Sequence, residues 1–154
     1  RGVGPRHVAW SADGRSLFLA TELGNQVIRY SYDAANGSFS EEQIISTLPD
    51  GAPENYVADI HTSPDGTRLY VSNRGHNSIA AYTIGAGNAL ALAGHASCGG
   101  DWPRNFAVAP DGRWLLVANQ NSGDIAILPV GDDGVPGEAA AHVAVPGASF
   151  VLFV

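Results

Sequence analysis

The sequence predicts an all-β protein of the β-propeller class: three four-stranded blades followed by one closing strand. Three observations carry this: a gapless internal repeat, a turn-rich composition with no helical period, and strands apolar on both faces. Residues 5–14, 57–66 and 103–112 align without gaps, each ending in Asp-Gly (Asp13-Gly14, Asp65-Gly66, Asp111-Gly112). The alignment continues through Leu17, Leu69 and Leu115, through Leu19, Val71 and Val117, and through Val27, Ile79 and Ile125. The Asp-Gly anchors lie 52 and 46 residues apart. Such a period is the length of one four-stranded blade.

Each repeat reads as strands a to d. Strand a covers 8–11, 60–63 and 106–109, and an Asp-Gly turn follows where glycine accepts positive φ. Strand b covers 16–21, 68–73 and 114–119. A polar turn leads to strand c at 27–32, 79–84 and 125–130. A Gly-rich turn leads to strand d at 39–48, 90–97 and 139–145. Runs such as Leu17-Phe18-Leu19-Ala20 and Leu115-Leu116-Val117-Ala118 leave no polar face, as expected of sheets covered on both sides. The blades therefore span 5–48, 57–97 and 103–145 of one partial domain covering 1–154. Residues 148–154 read as the innermost strand of a further blade. Three blades cannot close a ring, so an apolar blade face is expected to stay uncovered and these residues alone to self-associate.

Composition narrows the function. The 154 residues include 19 Gly and 9 Pro, are 45% hydrophobic, and carry a net charge of −7. All eight basic residues are arginine. An acidic chain without basic runs argues against nucleic acid or an anionic membrane as partner. No apolar run is long enough for a membrane-spanning helix. The lone Cys98 excludes an internal disulfide and has no His or Lys beside it in sequence, so it reads as inert. With no visible secretion signal, the expected location is cytoplasmic. P-loop, GxGxxG, HExxH, GxSxG and paired CxxC motifs are absent, and no cofactor or metal is implied.

Antiparallel order puts the a–b and c–d turns on one rim, and the strand-a starts and b–c turns on the other. The second rim collects Arg6, His7, Asp59, His61, Arg104 and Asn105, together with Glu22, Arg74, His76, Asn77, Gln120 and Asn121. Strand a lines the central channel, so these groups are expected at its mouth, the default place for a binding site.

On this rim the segments Gly4-Pro5-Arg6-His7, Thr21-Glu22-Leu23, 54–61, 72–79, Pro103-Arg104-Asn105-Phe106 and 118–122 resemble the lactonase family of seven-bladed propellers. That family includes bacterial 6-phosphogluconolactonase and fungal 3-carboxymuconate cyclase. The resemblance spans essentially the whole chain and matches the family's C-terminal part. It implies a lactone hydrolase with its active site in the central cleft and a small anionic lactone as substrate. It also implies a monomeric intact protein. Arg6 and Glu22 match the family's conserved Arg and Glu, and Arg74 a second Arg. The family's catalytic-site His lies on an earlier blade, so these residues alone are expected to hold an incomplete site.

Within that reading Glu22 is the candidate proton acceptor, and Arg6 and Arg74 the candidate oxyanion or anion ligands. His7 is a candidate to orient Glu22 or relay a proton. Asp59, His61, His76, Arg104, Asn105 and Gln120 are the candidate substrate-binding groups. Plainer readings stand beside these. Glu22 and Arg6 can form a structural ion pair, and Arg104, in Arg6's repeat position, can stabilise the rim. Asp59 and His61 share a strand face, which suits a mutual hydrogen bond better than a metal. His95 and His142, on strands d, are expected at the surface, and Trp10, Trp102 and Trp114 are expected to pack or line the rim. A cyclase acting on a carboxylated muconolactone and a non-catalytic binding platform are the alternative functions.

Overall fold

Twelve strands form three antiparallel four-stranded sheets in the computed structural model, which describes residues 2–154. The first blade contains β1 (Pro5–Trp10), β2 (Ser16–Thr21), β3 (Gln26–Asp33) and β4 (Ser38–Ser46). The second contains β5 (Tyr56–Thr62), β6 (Arg68–Arg74), β7 (Ser78–Ile84) and β8 (Leu90–Ser97). The third contains β9 (Pro103–Val108), β10 (Trp114–Asn119), β11 (Asp124–Pro129) and β12 (Ala141–Ala144). Each sheet runs in simple sequence order, and the innermost strands pack side by side, β1 on β5 and β5 on β9. This is the partial propeller that the repeat predicts.

The Asp-Gly turns form for the expected reason. Gly14, Gly66 and Gly112 have φ of 66°, 71° and 72°, open only to glycine without strain. The preceding aspartate accepts the backbone N–H two residues on: Arg15 to Asp13, Thr67 to Asp65 and Arg113 to Asp111, each at 3.0 Å. Such side-chain turns fix the register of the hairpin that follows.

The core lies between blades, and strand alternation builds it. On β6, Leu69 and Val71 face the first blade and Tyr70 faces the third; on β7, Ala80 and Tyr82 oppose Ile79 and Ala81 in the same way. Phe18, Ala20 and Val27 complete the first seam, and Phe106, Leu115, Val117, Ala126 and Leu128 the second. The buried tyrosines keep partners: Tyr82 Oη donates to Ser46 O at 2.6 Å and Tyr70 Oη to Gly134 O at 3.0 Å.

Three expectations change. The innermost strands begin earlier than expected, at Pro5, Tyr56 and Pro103, so the rim residues Arg6, His7, Asp59, Arg104 and Asn105 belong to strands. A proline is tolerated there because it opens an edge strand. Residues 148–154 form no strand. A strand needs a neighbour with free ladder groups, and the tail's tie to β9 runs instead through a side chain, Val151 N–H donating to Asn105 Oδ1 at 2.7 Å. His95 is half-buried, its Nε2–H donating across the seam to Thr47 O, just past β4, at 3.0 Å. His142 is exposed, as expected.

Each innermost strand also carries a β-bulge at one repeat position. The register slips between Pro5 and His7, between Val57 and Ile60, and between Ala118 and Asn119 opposite Arg104. An extra residue in one strand re-aims the side chains around it.

The first blade's face turned away from the second exposes Val8 and Trp10, and its rim exposes Phe39. Trp10, Tyr32 and Phe39 form an aromatic cluster there, with ring centroids 4.8–6.1 Å apart. The 154-residue chain alone is expected to self-associate through this face, and Trp10→Ser with Phe39→Ser to weaken the association. A monodisperse monomer in light scattering at high concentration contradicts that expectation.

Candidate active site

Two polar clusters sit side by side at the channel mouth, both across the seam between the first and second blades. In the first, Glu22 lies between two guanidinium groups. Arg74 Nη2 donates to Glu22 Oε1, and Arg6 Nη1 lies 3.6 Å from Glu22 Oε2. Backbone carbonyls of the second blade hold both arginines. Arg6 Nε–H donates to Ala58 O at 2.8 Å, while Arg74 Nε–H and Nη2–H donate to Tyr56 O at 3.2 Å and Val57 O at 3.1 Å. Arg74 is buried, and its guanidinium lies against Trp102, 5.5 Å from the ring centroid, with Tyr56 at 6.0 Å. The hydrogen bond from Arg74 lowers the Glu22 pKa against the opposing effect of burial, and both arginine charges add to the lowering. Glu22 is therefore a held anion and a weakened base. Burial and the Arg74 charge lower the Arg6 pKa, Glu22 opposes them, and the Arg104 charge also reaches it.

The second cluster centres on Asp59, 3% exposed. His7 Nδ1 lies 2.7 Å from Asp59 Oδ1, and His61 Nε2 lies 2.9 Å from Oδ2. Asn105 Nδ2 also donates to Oδ2, so the innermost strands of all three blades meet on one carboxylate. The backbone N–H of Ile60 donates to Oδ1 at 3.0 Å. Burial pushes the Asp59 pKa up, but the hydrogen bond and charge of His61, then His7 and the Ile60 N–H, bring it down to about 2. An ionised carboxylate only accepts, so His7 Nδ1 and His61 Nε2 both carry protons, while His7 Nε2 and His61 Nδ1 make no hydrogen bond among the described residues.

These contacts have a common origin. Arg6–Ala58, His7–Asp59 and Glu22–Arg74 are each separated by 52 residues, and Asp59–Asn105 by 46. Those are the repeat spacings, so equivalent positions in adjacent blades touch. The bulge lets consecutive residues Arg6 and His7 both reach the second blade.

The sequence candidates divide accordingly. Arg6, Glu22 and Arg74 come together, and His7, Asp59, His61 and Asn105 come together beside them. His7 bonds to Asp59 rather than Glu22. Asp59 and His61 share the hydrogen bond expected of them. Arg104 and Gln120 form their own exposed pair at 3.4 Å, the third-blade counterpart of Arg6 and Glu22. His76 does not join the mouth: its Nδ1 lies 2.7 Å from Ser78 Oγ and its ring packs edgewise on His95, toward the blade's outer side. Cys98 is buried, which pushes its thiol pKa up to about 11 and makes it unreactive. Tyr56 and the contact of Trp102 with Arg74 were missed. Both occupy the repeat position three residues before Asp59 and Asn105, a signal that could have found them. Trp102 sits at φ 67°, a strained conformation for a bulky residue, tied by its N–H to Asn77 Oδ1 at 3.0 Å. Among the described residues no group of three or more His, Cys, Asp or Glu is arranged to hold a metal ion.

Radial antiparallel blades with a charged cluster at the channel mouth define a propeller with a central-channel site. The family model "Lactonase, 7-bladed beta-propeller" matches residues 1–153, and the chain belongs to that family. It is 36% identical over 129 residues to the 6-phosphogluconolactonase of Bacillus subtilis (strain 168), covering 82% of this chain and 37% of that protein. It is 41% identical over 130 residues to the 6-phosphogluconolactonase of Formosa agariphila, covering 82% and 36%. The periplasmic gluconolactonase PpgL of Pseudomonas aeruginosa superposes with a TM-score of 0.94 at 34% identity, over 99% of this chain and 43% of that one. The chain thus spans little more than a third of the length of the curated relatives it matches.

Asp59 makes stability depend on pH in a definite direction. Its depressed pKa contributes stability present in full above about pH 4 and lost as pH falls toward 2. The stability gap between the protein and Asp59→Asn is expected to narrow by about 2 kcal/mol from pH 5 to pH 2 in denaturant titrations. A gap independent of pH contradicts the assignment.

Proposed function

We propose that the complete protein is a lactone hydrolase that opens a sugar lactone to its acid, with 6-phosphogluconolactone as the substrate its named relatives indicate. One observation carries this reading: two guanidinium groups converge on a single carboxylate at the channel mouth of an otherwise acidic chain. Arg6, Arg74 and Arg104 set three positive charges against Glu22 and Asp59, so the mouth is locally cationic. A phosphorylated lactone brings an anion to it, and hydrolysis develops a second negative charge on the carbonyl oxygen. Arginine forks suit both.

In this reading Glu22 spaces and orients the two arginines, since its lowered pKa makes it a poor proton acceptor. Arg6 Nη2 and Arg74 Nη1 then serve the substrate, because the other donors of each fork are engaged by Glu22 and by carbonyls. Arg104, Asn105 and Gln120 extend the polar wall on the third blade. The same reading places the protein in the cytoplasm, where sugar phosphates are made and a lone thiol such as Cys98 stays reduced.

The test is made in the full-length protein that carries these blades. Arg6→Gln is expected to lower kcat/KM on a phosphorylated lactone by about 10- to 100-fold, the worth of a charged hydrogen bond. Arg6→Lys is expected to restore part of the loss, since it keeps the charge without the fork. Equal turnover by all three proteins removes Arg6 from the site. Tight lactone binding without hydrolysis by the unaltered protein identifies a binding platform instead.

A further inference from the structure

Among the residues of these three blades, the lactonase reading leaves open which group takes the proton from the attacking water. Glu22 is unsuited to it, because Arg74 and Arg6 stabilise its charged form. Beside it stands a better-built acceptor. His7 Nδ1–H is held by Asp59 Oδ1 at 2.7 Å, which leaves Nε2 as the free basic nitrogen. Asp59 is buried, while the His7 side chain is 45% exposed, so the orienting group is dry and the working nitrogen is reachable from solvent. A carboxylate behind an imidazole fixes its tautomer and stabilises the imidazolium that forms.

We propose that His7, oriented by Asp59, is the general base of the lactonase reaction. The proposal rests on the lactonase reading and names the proton acceptor of that same site. His7 Nε2 takes a proton from water as the water oxygen bonds to the lactone carbonyl carbon. The C=O π electrons move onto the carbonyl oxygen, which the Arg6 and Arg74 forks face. The tetrahedral adduct then re-forms the C=O, and the ring C–O bond breaks. The leaving alkoxide takes the proton back from His7 Nε2. One water is consumed, the ring opens to the hydroxy acid, and His7 returns to its starting state. His7 is the catalytic residue here, and Asp59 is a positioning residue.

Placement selects His7 over His61. The bulge in β1 makes Arg6 and His7 bond to consecutive residues of β5, Ala58 and Asp59, so base and oxyanion ligand are neighbours in chain and in space. His61 lies two residues further along β5. Its ring packs edgewise on Phe106 at 4.9 Å and lines a groove with Phe150, Leu152 and Phe153, in which Arg6, Glu22 and Arg74 take no part. Asp59 of β5 touches His7 directly, His61 shares that carboxylate, and the neighbouring Arg6 is in turn within reach of the charges of Arg74, Glu22, Arg104 and Asp59. The carboxylate in direct contact is Asp59.

The test is the pH dependence of kcat/KM for lactone hydrolysis by the full-length protein. His7→Gln, which keeps a donor for Asp59, is expected to lower kcat about 100-fold or more with KM changed less than about threefold, and to abolish the acid limb of the profile. His7→Ala is expected to regain activity with added imidazole. Asp59→Asn is expected to lower kcat with KM changed less than about threefold, a split that simple destabilisation of the blades does not produce. Hydrolysis by His7→Gln at the unaltered rate with its acid limb intact overturns this proposal alone. Absence of lactone hydrolysis in the unaltered protein overturns the lactonase reading and this proposal with it.

Discussion

The side chain of Asp59 is the point on which the three blades agree. Its buried carboxylate receives His7 from β1, His61 from its own strand and Asn105 from β9. A buried charge is tolerable only when hydrogen bonds replace its lost hydration. Here that replacement requires all three innermost strands at one register. The same requirement positions the site: once His7 is drawn to Asp59, its neighbour Arg6 meets the Ala58 carbonyl and Glu22 meets Arg74. The geometry of the candidate site is thus a by-product of seam chemistry between repeat-equivalent residues.

The hydrophobic seams and the polar mouth divide the work. Apolar alternation on β6 and β7 packs the second blade against both neighbours, but hydrophobic contact is non-directional and selects no particular pair of partners. The polar contacts sit at the channel end of each seam and supply that specificity. The bulges at Arg6, Ala58–Asp59 and Arg104 are the device that turns two successive residues toward the next blade. On an acidic chain this concentrates guanidinium groups at the channel mouth.

Much of this was legible in the sequence, for reasons that can be named. The Asp-Gly anchors exposed the repeat because only glycine accepts the φ those turns need, and the repeat placed Arg6, Glu22 and Arg74 on one rim. The spacing already held the contact map: 52 residues join Arg6 to 58, His7 to 59 and Glu22 to 74. Other features were not legible. A bulge leaves no mark in residue type, so nothing in the sequence showed that the consecutive residues Arg6 and His7 both turn toward the second blade. His76 looked like its rim neighbours because turn residues do not declare which side of a blade they face. Residues 148–154 are as apolar as a buried strand, yet strand character comes from a partner's backbone, and the hydrogen bonds made by that segment go to the Asn105 side chain and to the carbonyl of Val145 just before it.

The seam account is tested most directly by a double-mutant cycle across it. Unfolding free energies of the full-length protein, His7→Ala, Asp59→Ala and the double variant give the coupling between the two residues. At neutral pH the account requires a coupling of about 1.5–3 kcal/mol, the worth of a hydrogen bond to a buried charge. Losses that add to within about 0.5 kcal/mol would show that the two blades do not meet through this pair.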